Sequence, residues 1–515
     1  MNKLRSVPRF LASFRNPLDP IIISYREMGV NIGLLAAMIG LVMIPKIGAL
    51  VAMGLLMIIS LTSVFNAVRT LSVLFLIIYL NAFLNIQTGP MMIMRWGVFF
   101  AACGRIYMEI LNNGASIYSF VPVRYLHGFC LIAFFCNLGS LNVDVTSYLK
   151  LFSFAFGTTA IFVGMAFCER NKDRLVIWLL SIGVFLTVAS IPMLSTEAGY
   201  FSKARSLEIN ELGTYIAVDP ELVGGFMGIL GHAQSFGVVA ALFAILLITT
   251  IFVTKFDKKF LLSGVLFILA VMLFMSKTRT AGLAFMITSG LILLLLNLQI
   301  FRGYRVIKGV KIPLLPFFVF IAGLILLAVI SGGVPGLGFL QRFISKGASE
   351  DLGLLEAYQN SRGHLMSLGW NNFKDNPLFG IGFAGDSWDP DGVLKRESAR
   401  GLLGLAYAPT EKGMIVTAVL EETGAIGFIA FMGMIICLYF QFFRRANIYA
   451  IAILTCILLL NMGEMNFFSM GGIGTLQWIF LGAASILGDR SSIPMGGPPL
   501  GRQNFQGQKS LSGVS

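Results

Sequence analysis

Residues 233–254 read AQSFGVVAALFAILLITTIFVT, and the reading of this stretch decides the fold class. It is 22 residues long and carries no charge. Coiled as a helix it would run about 33 Å, enough to cross roughly 30 Å of hydrocarbon. Blocks of the same kind recur at roughly 28–44, 46–64, 68–86, 91–111, 122–139, 147–168, 174–193, 258–276, 279–299, 312–332, 414–441, 446–462 and 468–487. The 91–111 block is broken by Arg95 and Arg105. The composition agrees with this reading: 57% of the 515 residues are hydrophobic and 12% charged. A soluble protein averages roughly 25% charged, so this chain has more apolar surface than a soluble core can hide. The expectation is an all-α fold, a polytopic membrane helical bundle of about 12–14 transmembrane helices.

The charges set the orientation. The net charge is +13, but the basic residues sit in short linkers between apolar blocks. No basic stretch is interleaved with aromatics, so nucleic acid is not an expected partner. With the N-terminus in the cytoplasm, counting spans puts the linkers Glu169–Arg174, Lys255–Lys259, Arg302–Lys311 and Arg444–Arg445 on the cytoplasmic side. These are the strongly basic ones, as the positive-inside rule requires. An even number of spans returns the C-terminus to the same side.

The chain then divides into a basic cytoplasmic tail (1–27), a transmembrane bundle (28–332), one large loop on the outer, periplasm-like face (333–412), helices completing the bundle (413–487), and a disordered cytoplasmic tail (488–515). The tail 1–27 lacks the short apolar region and cleavage site of a signal peptide. The expected location is a bacterial inner membrane. The six cysteines all fall in apolar blocks and read as small buried hydrophobes, with no metal or disulfide spacing. The Asp386–Gly392 stretch hints at a calcium loop but misses the twelve-residue spacing, so no metal and no cofactor are expected.

A loop of this length inside a compact protein is usually functional. Around it lie the ionisable residues that a lipid-facing segment would avoid. Glu421 and Glu422 sit inside an apolar block, where charge is costly and rarely accidental. Arg279 begins a span at its outer end and reads either as a snorkelling anchor or as a phosphate contact, with Ser276, Lys277 and Thr278 as nearby donors. Arg362 opens an amphipathic helical pattern in the loop, and Glu356 is its alternative partner. His232 and Gln234 lie near an outer span end, Lys412 near the end of the loop, and Glu464 and Asn466 in the last outer linker. Asn376-Pro-Leu-Phe-Gly380 reads as turn chemistry, and Gly424 and Gly427 as positions for close helix packing.

Four stretches, in order, resemble one family: Gly228-Ile-Leu-Gly-His-Ala-Gln-Ser-Phe-Gly237; Met275-Ser-Lys-Thr-Arg-Thr-Ala-Gly282; Ser361-Arg-Gly-His-Leu-Met-Ser-Leu-Gly-Trp370 with Phe373-Lys-Asp-Asn-Pro-Leu-Phe-Gly-Ile-Gly-Phe383; and Leu420-Glu-Glu-Thr-Gly-Ala-Ile-Gly427. Together they resemble the O-antigen ligase and polymerase family of bacterial membrane glycosyltransferases, over roughly residues 200–485. The resemblance implies a glycan donor carried on a polyprenyl diphosphate, a glycan or lipid acceptor, and membrane lipids as surroundings. It implies no nucleotide sugar and no metal. A polymerase would work beside a chain-length regulator.

On this resemblance Arg279 and Arg362 contact the diphosphate, with Ser276, Lys412, His232 and Gln234 near the substrate. The ligases of the family are thought to use a histidine nine residues before the Glu of Glu-x-Gly-x-x-Gly. That position here is Gly413, which favours a polymerase-like branch. Glu411 or His364 then stands as the base that activates the acceptor hydroxyl. Glu422 matches the family's Glu and either acts on substrate or orients an arginine. The competing class is a flippase or transporter of the same lipid-linked glycans. A transporter more often shows repeated halves, broken helices at the midplane and short outer loops; this chain shows no repeat, and its polar clusters gather on one face.

Overall fold

The computed structural model describes residues 23–45, 47–81, 89–114, 116–140, 145–200, 224–254, 259–297, 354–385, 387, 412–463 and 465–487. Its helices are α1 (Tyr25–Val42), α2 (Gly48–Thr62), α3 (Val64–Ile78), α4 (Gly89–Asn112), α5 (Val121–Gly139), α6 (Val145–Phe167), α7 (Lys172–Ser190), α8 (Ala233–Val253), α9 (Lys259–Met275), α10 (Arg279–Asn297), α11 (Leu354–Asp375), α12 (Ile415–Arg444), α13 (Ile448–Leu460) and α14 (Ile473–Leu487). Thirteen of them fall on apolar blocks read from the sequence. The block at 312–332 lies outside the described residues. The remaining helix, α11, lies in the large loop and covers the amphipathic pattern that holds Arg362. The fold is all-α: among the described residues only two isolated antiparallel bridges occur, Leu80 to Leu230 and Tyr200 to Phe226.

Seven of the helices are long and apolar enough to cross a membrane. Five more are apolar but shorter, from 13 residues in α13 to 17 in α9. Seventeen residues of helix reach about 26 Å, so these helices rely on their flanking turns to complete a crossing. The 24-residue α4 carries Arg95, Arg105 and Glu109, and an ion pair at 2.8 Å joins the last two.

The outside of the bundle is apolar. On α12, Ile429, Met432, Ile436, Phe440 and Phe443 are all exposed, at the three- and four-residue steps that mark one helix face. On α9, Phe260, Phe267 and Val271 do the same. Water would penalise such stripes and lipid would not.

Polar groups turn inward and find partners there. Arg69 donates to the Asn31 amide oxygen at 3.2 Å and lies 3.9 Å over the Trp178 ring, whose indole N–H donates to Ser72 at 2.7 Å. Helix direction follows from specific contacts. The rings of Phe129 on α5 and Phe431 on α12 meet at 5.9 Å. His127 on α5 reaches Thr159 on α6 at 2.7 Å, while Phe134 and Tyr148, further up the same pair, meet at 5.8 Å. The α5–α6 pair is therefore an antiparallel hairpin.

Candidate functional site

The site begins with a break in α12. Gly424 sits inside this helix at φ 62 and ψ −167, a conformation open to glycine and strained for other residues. The break leaves the carbonyls of Glu421 and Glu422 without their usual helical donors. Within a membrane such groups must be satisfied by protein.

The segment after α11 supplies what the break requires. Ile381 donates its backbone N–H to the Glu421 carbonyl at 2.8 Å, and Gly382 to the Glu422 carbonyl at 3.0 Å. In the other direction, Ala425 donates to the Pro377 carbonyl at 2.9 Å and Ile426 to the Leu378 carbonyl at 3.3 Å. The Asn376–Phe383 motif thus lies in the break as an insert that begins with a turn, Gly380 donating to the Asn376 carbonyl at 2.9 Å. Two glycines permit the approach. A Cβ on Gly380 would stand 2.5 Å from the Glu421 carbonyl oxygen, and one on Gly424 would overlap the Leu378 carbonyl. Gly424 is therefore the hinge of the break rather than the packing position its motif suggested. The insert is pinned at its far end, where Phe383 donates its N–H to Asn137 on α5 at 2.6 Å. The Phe383 ring packs among Phe129, Phe154 and Phe468.

Two carboxylates sit at this break, and both are buried. Lys412, also buried, brings its ammonium to 3.1 Å from Glu421 and 3.9 Å from Glu422. Asn372, from the last turns of α11, donates to the other Glu421 oxygen at 2.7 Å. The Ala384 backbone N–H donates to Glu422, and Lys150 on α6 lies within electrostatic reach of the same carboxylate. Buried charges are held at a desolvation cost of several kcal/mol each, so such a cluster persists only with partners of this kind. Its effect is to fix the end of the large loop: Lys412 directly follows Glu411, which with His364 is one of two residues expected from the sequence to serve as base. Glu411 itself lies outside the described residues.

The second part of the site is the turn between α9 and α10. Lys277 has φ 57, a left-handed conformation uncommon for a side-chain-bearing residue. Ser276 is buried, and its hydroxyl donates to the Leu273 carbonyl at 2.6 Å and accepts the Thr278 backbone N–H at 3.3 Å. Ser276 therefore builds the turn. Thr278 in turn donates to the Ala233 carbonyl at 3.1 Å, which joins the turn to the start of α8. There His232 is the N-cap of α8, its ring Nδ1 accepting the Gln234 N–H at 3.2 Å. Gln234, Thr278 and Thr280 line a small cavity between these helix starts. Arg279 is the first residue of α10 and is half-buried. A helix N-terminus carries partial positive charge and favours anions, so a cation there strengthens an anion-attracting end instead of balancing it.

The two parts share one end of the bundle and one connecting turn. Thr280 lies against Gly463, at the end of α13. The Asn461 carbonyl in that turn accepts the Ile415 N–H at 2.9 Å, three residues after Lys412. The Asn461 amide oxygen accepts from the Asn466 N–H at 2.7 Å. Arg279, His232, Gln234, Ser276, Lys412 and Glu422 thus gather at the end that charge counting placed outside. Arg362 and His364 lie on α11 two to three turns before Asn372; their side chains, like all of Glu464, lie outside the described residues. Sequence reasoning assigned no role to Asn372, Asn137 or Lys150. Asn372 falls between the two quoted parts of the loop motif, next to Asn371, and that doubled amide was the available signal.

Two comparisons complete the description. No curated protein matches the chain. Residues 264–404 match the family described as O-Antigen ligase. The matched stretch contains Arg279, Arg362, His364 and the Asn376–Phe383 insert, while the broken helix and the α8 start fall outside it. Over that stretch the chain is similar to the O-antigen ligase family, in agreement with the resemblance its motifs carry.

Proposed function

We propose that this protein is a membrane glycosyltransferase that moves glycan units from a polyprenyl diphosphate at the outer face of a bacterial inner membrane, extending or ligating an O-antigen or exopolysaccharide. The observation that supports it most directly is the gathering of Arg279 on a helix N-terminus and the Lys412–Glu421–Glu422 cluster at one end of the bundle.

In this reading Arg279, with Arg362 from α11, holds the diphosphate. A base in the large loop, Glu411 or His364, takes the proton of an acceptor hydroxyl. The hydroxyl oxygen attacks the anomeric carbon, the bond from that carbon to the diphosphate breaks, and the diphosphate leaves with the electron pair under the two arginines. Lys412 and Glu422 keep the end of the loop in register with the leaving group. Gly413, at the position where the family's ligases carry histidine, favours polymerisation, in which the acceptor is itself a lipid-linked glycan. A chain-length regulator is then a natural partner.

The test is transfer in membranes with a polyprenyl-diphosphate glycan, comparing the wild type with Arg279→Ala at matched expression. The expected result is elongated glycan from the wild type and a loss of about a hundredfold or more in the variant, the cost of removing one donor at a developing anion. If the wild type carries the lipid-linked glycan between leaflets and forms no glycosidic bond, the enzyme reading fails and the chain is a flippase.

A further inference from the structure

Away from the glutamates, the α5–α6 hairpin holds a groove of about 700 Å³. Its walls are mainly apolar: Leu131 and Phe152, on facing helices, are more than half exposed, and Phe134 and Tyr148 close one end. The opposite end is different. Arg124, exposed, lies there beside Tyr118, and its Nε donates to the Tyr118 carbonyl, which holds the guanidinium at the mouth of the groove. His127, just inside, is engaged by Thr159 and by the Tyr118 hydroxyl at 3.4 Å.

The packing of α5 places this end in the membrane. Asn137, near the C-terminus of α5, is bonded to the insert at the α12 break, and Phe129, further back, meets Phe431 further along α12. The two helices run antiparallel, so Arg124 lies toward Arg444 and Arg445, the basic end of the bundle, and away from Glu421 and Glu422. From Arg124 to Phe134 a helix rises about 15 Å, half the hydrocarbon thickness of a bilayer. The groove thus has the depth of one leaflet, with its cation at the headgroup level and its apolar walls at the level of the chains.

We propose that this groove is a binding site for an anionic glycerophospholipid of the leaflet at the basic end, with the phosphate on Arg124 and an acyl chain between α5 and α6. The polarity of the groove separates this lipid from the glycan donor, whose diphosphate belongs at the opposite end. The site bears on transfer through α5, because the same helix carries Asn137 and Phe129 against the insert.

The test is native mass spectrometry of the full chain in detergent, titrated with phosphatidylglycerol or with phosphatidylcholine of identical chains. The wild type should take up phosphatidylglycerol at lower concentration. Arg124→Gln should weaken that uptake about fivefold, the factor one basic residue contributes near an anionic headgroup, and weaken phosphatidylcholine, whose choline already offsets its phosphate, by less. Arg124→Lys should keep the preference, and Leu131→Trp, which fills the groove, should weaken both lipids. Arg124 and Leu131 are exposed, and unchanged thermal melting would show that the variants fold. Equal uptake of the two lipids by the wild type, or no effect of Arg124→Gln, would reduce the groove to a general lipid contact and overturn the proposal. Displacement of phosphatidylglycerol by a polyprenyl diphosphate whose own binding ignores Arg124 would overturn it as well, and make the groove a track for the donor's tail.

Discussion

Helices α8 and α12 cross the same bundle under opposite rules. From Ala233 to Val253, α8 runs unbroken and almost wholly buried, and its hydroxyls bond back within their own helix, Thr249 to the Ile245 carbonyl at 2.7 Å. From Ile415 to Arg444, α12 is interrupted at Gly424, holds two buried carboxylates and borrows backbone partners from a segment some 45 residues away. The first satisfies itself and can serve as scaffold. The second is satisfied only when Lys412, Asn372 and the insert are in place, and so it can hold a reactive loop end in one position.

The sharpest way to break this comparison is Lys412→Met. One ammonium serves two carboxylates, so its loss leaves Glu421 without its cation and Glu422 with only the less strongly acting Lys150, and should destabilise the protein by about 3–5 kcal/mol, the cost of breaking a buried ion pair. Thermal unfolding in detergent reads this, and Glu421→Gln, which leaves Glu422 paired, should cost less. Gly424→Ala should follow at about 3 kcal/mol, from a strained conformation and the overlap with the Leu378 carbonyl. Transfer should fall with it. In an unbroken helix the same replacement stabilises, so a stabilising result here would remove the break from the argument.

Asn372→Ala removes one hydrogen bond to a charged oxygen and should cost about 2 kcal/mol, with transfer reduced because α11 then loses its tie to Glu421. The smallest effect belongs to α8. Thr249→Val should change stability by about 1 kcal/mol or less and leave transfer unaltered in the same membranes.

The sequence made α8 legible because apolar length alone specifies it. The same held for the other described spans, and for α11, whose amphipathic pattern was readable around Arg362. The α12 break was only half legible. Glu421 and Glu422 announced themselves as charges in an apolar block, yet nothing local distinguishes a glycine that packs from one that ends a helix. The distinction depends on Pro377, Leu378, Ile381 and Gly382, which no periodicity connects to residue 424. Ser276 and His232 show the same limit from the other side. Both belong to motifs at the site, and both serve local structure, Ser276 through its hydroxyl in the turn and His232 through its Nδ1 as a cap. Lys150 was invisible because its relation to Glu422 arises from the packing of α6.

The insert in the α12 break also bears on inheritance. Residues 376–384 and 421–426 form one hydrogen-bonded unit written in two places, and Gly380 and Gly424 face each other's backbones with no room for a compensating pair of side chains. The large loop, exchanged between relatives at its ends, would therefore arrive without half of its own seat. The natural seam for recombination lies beyond Ile426, inside the helix, where loop and break travel together.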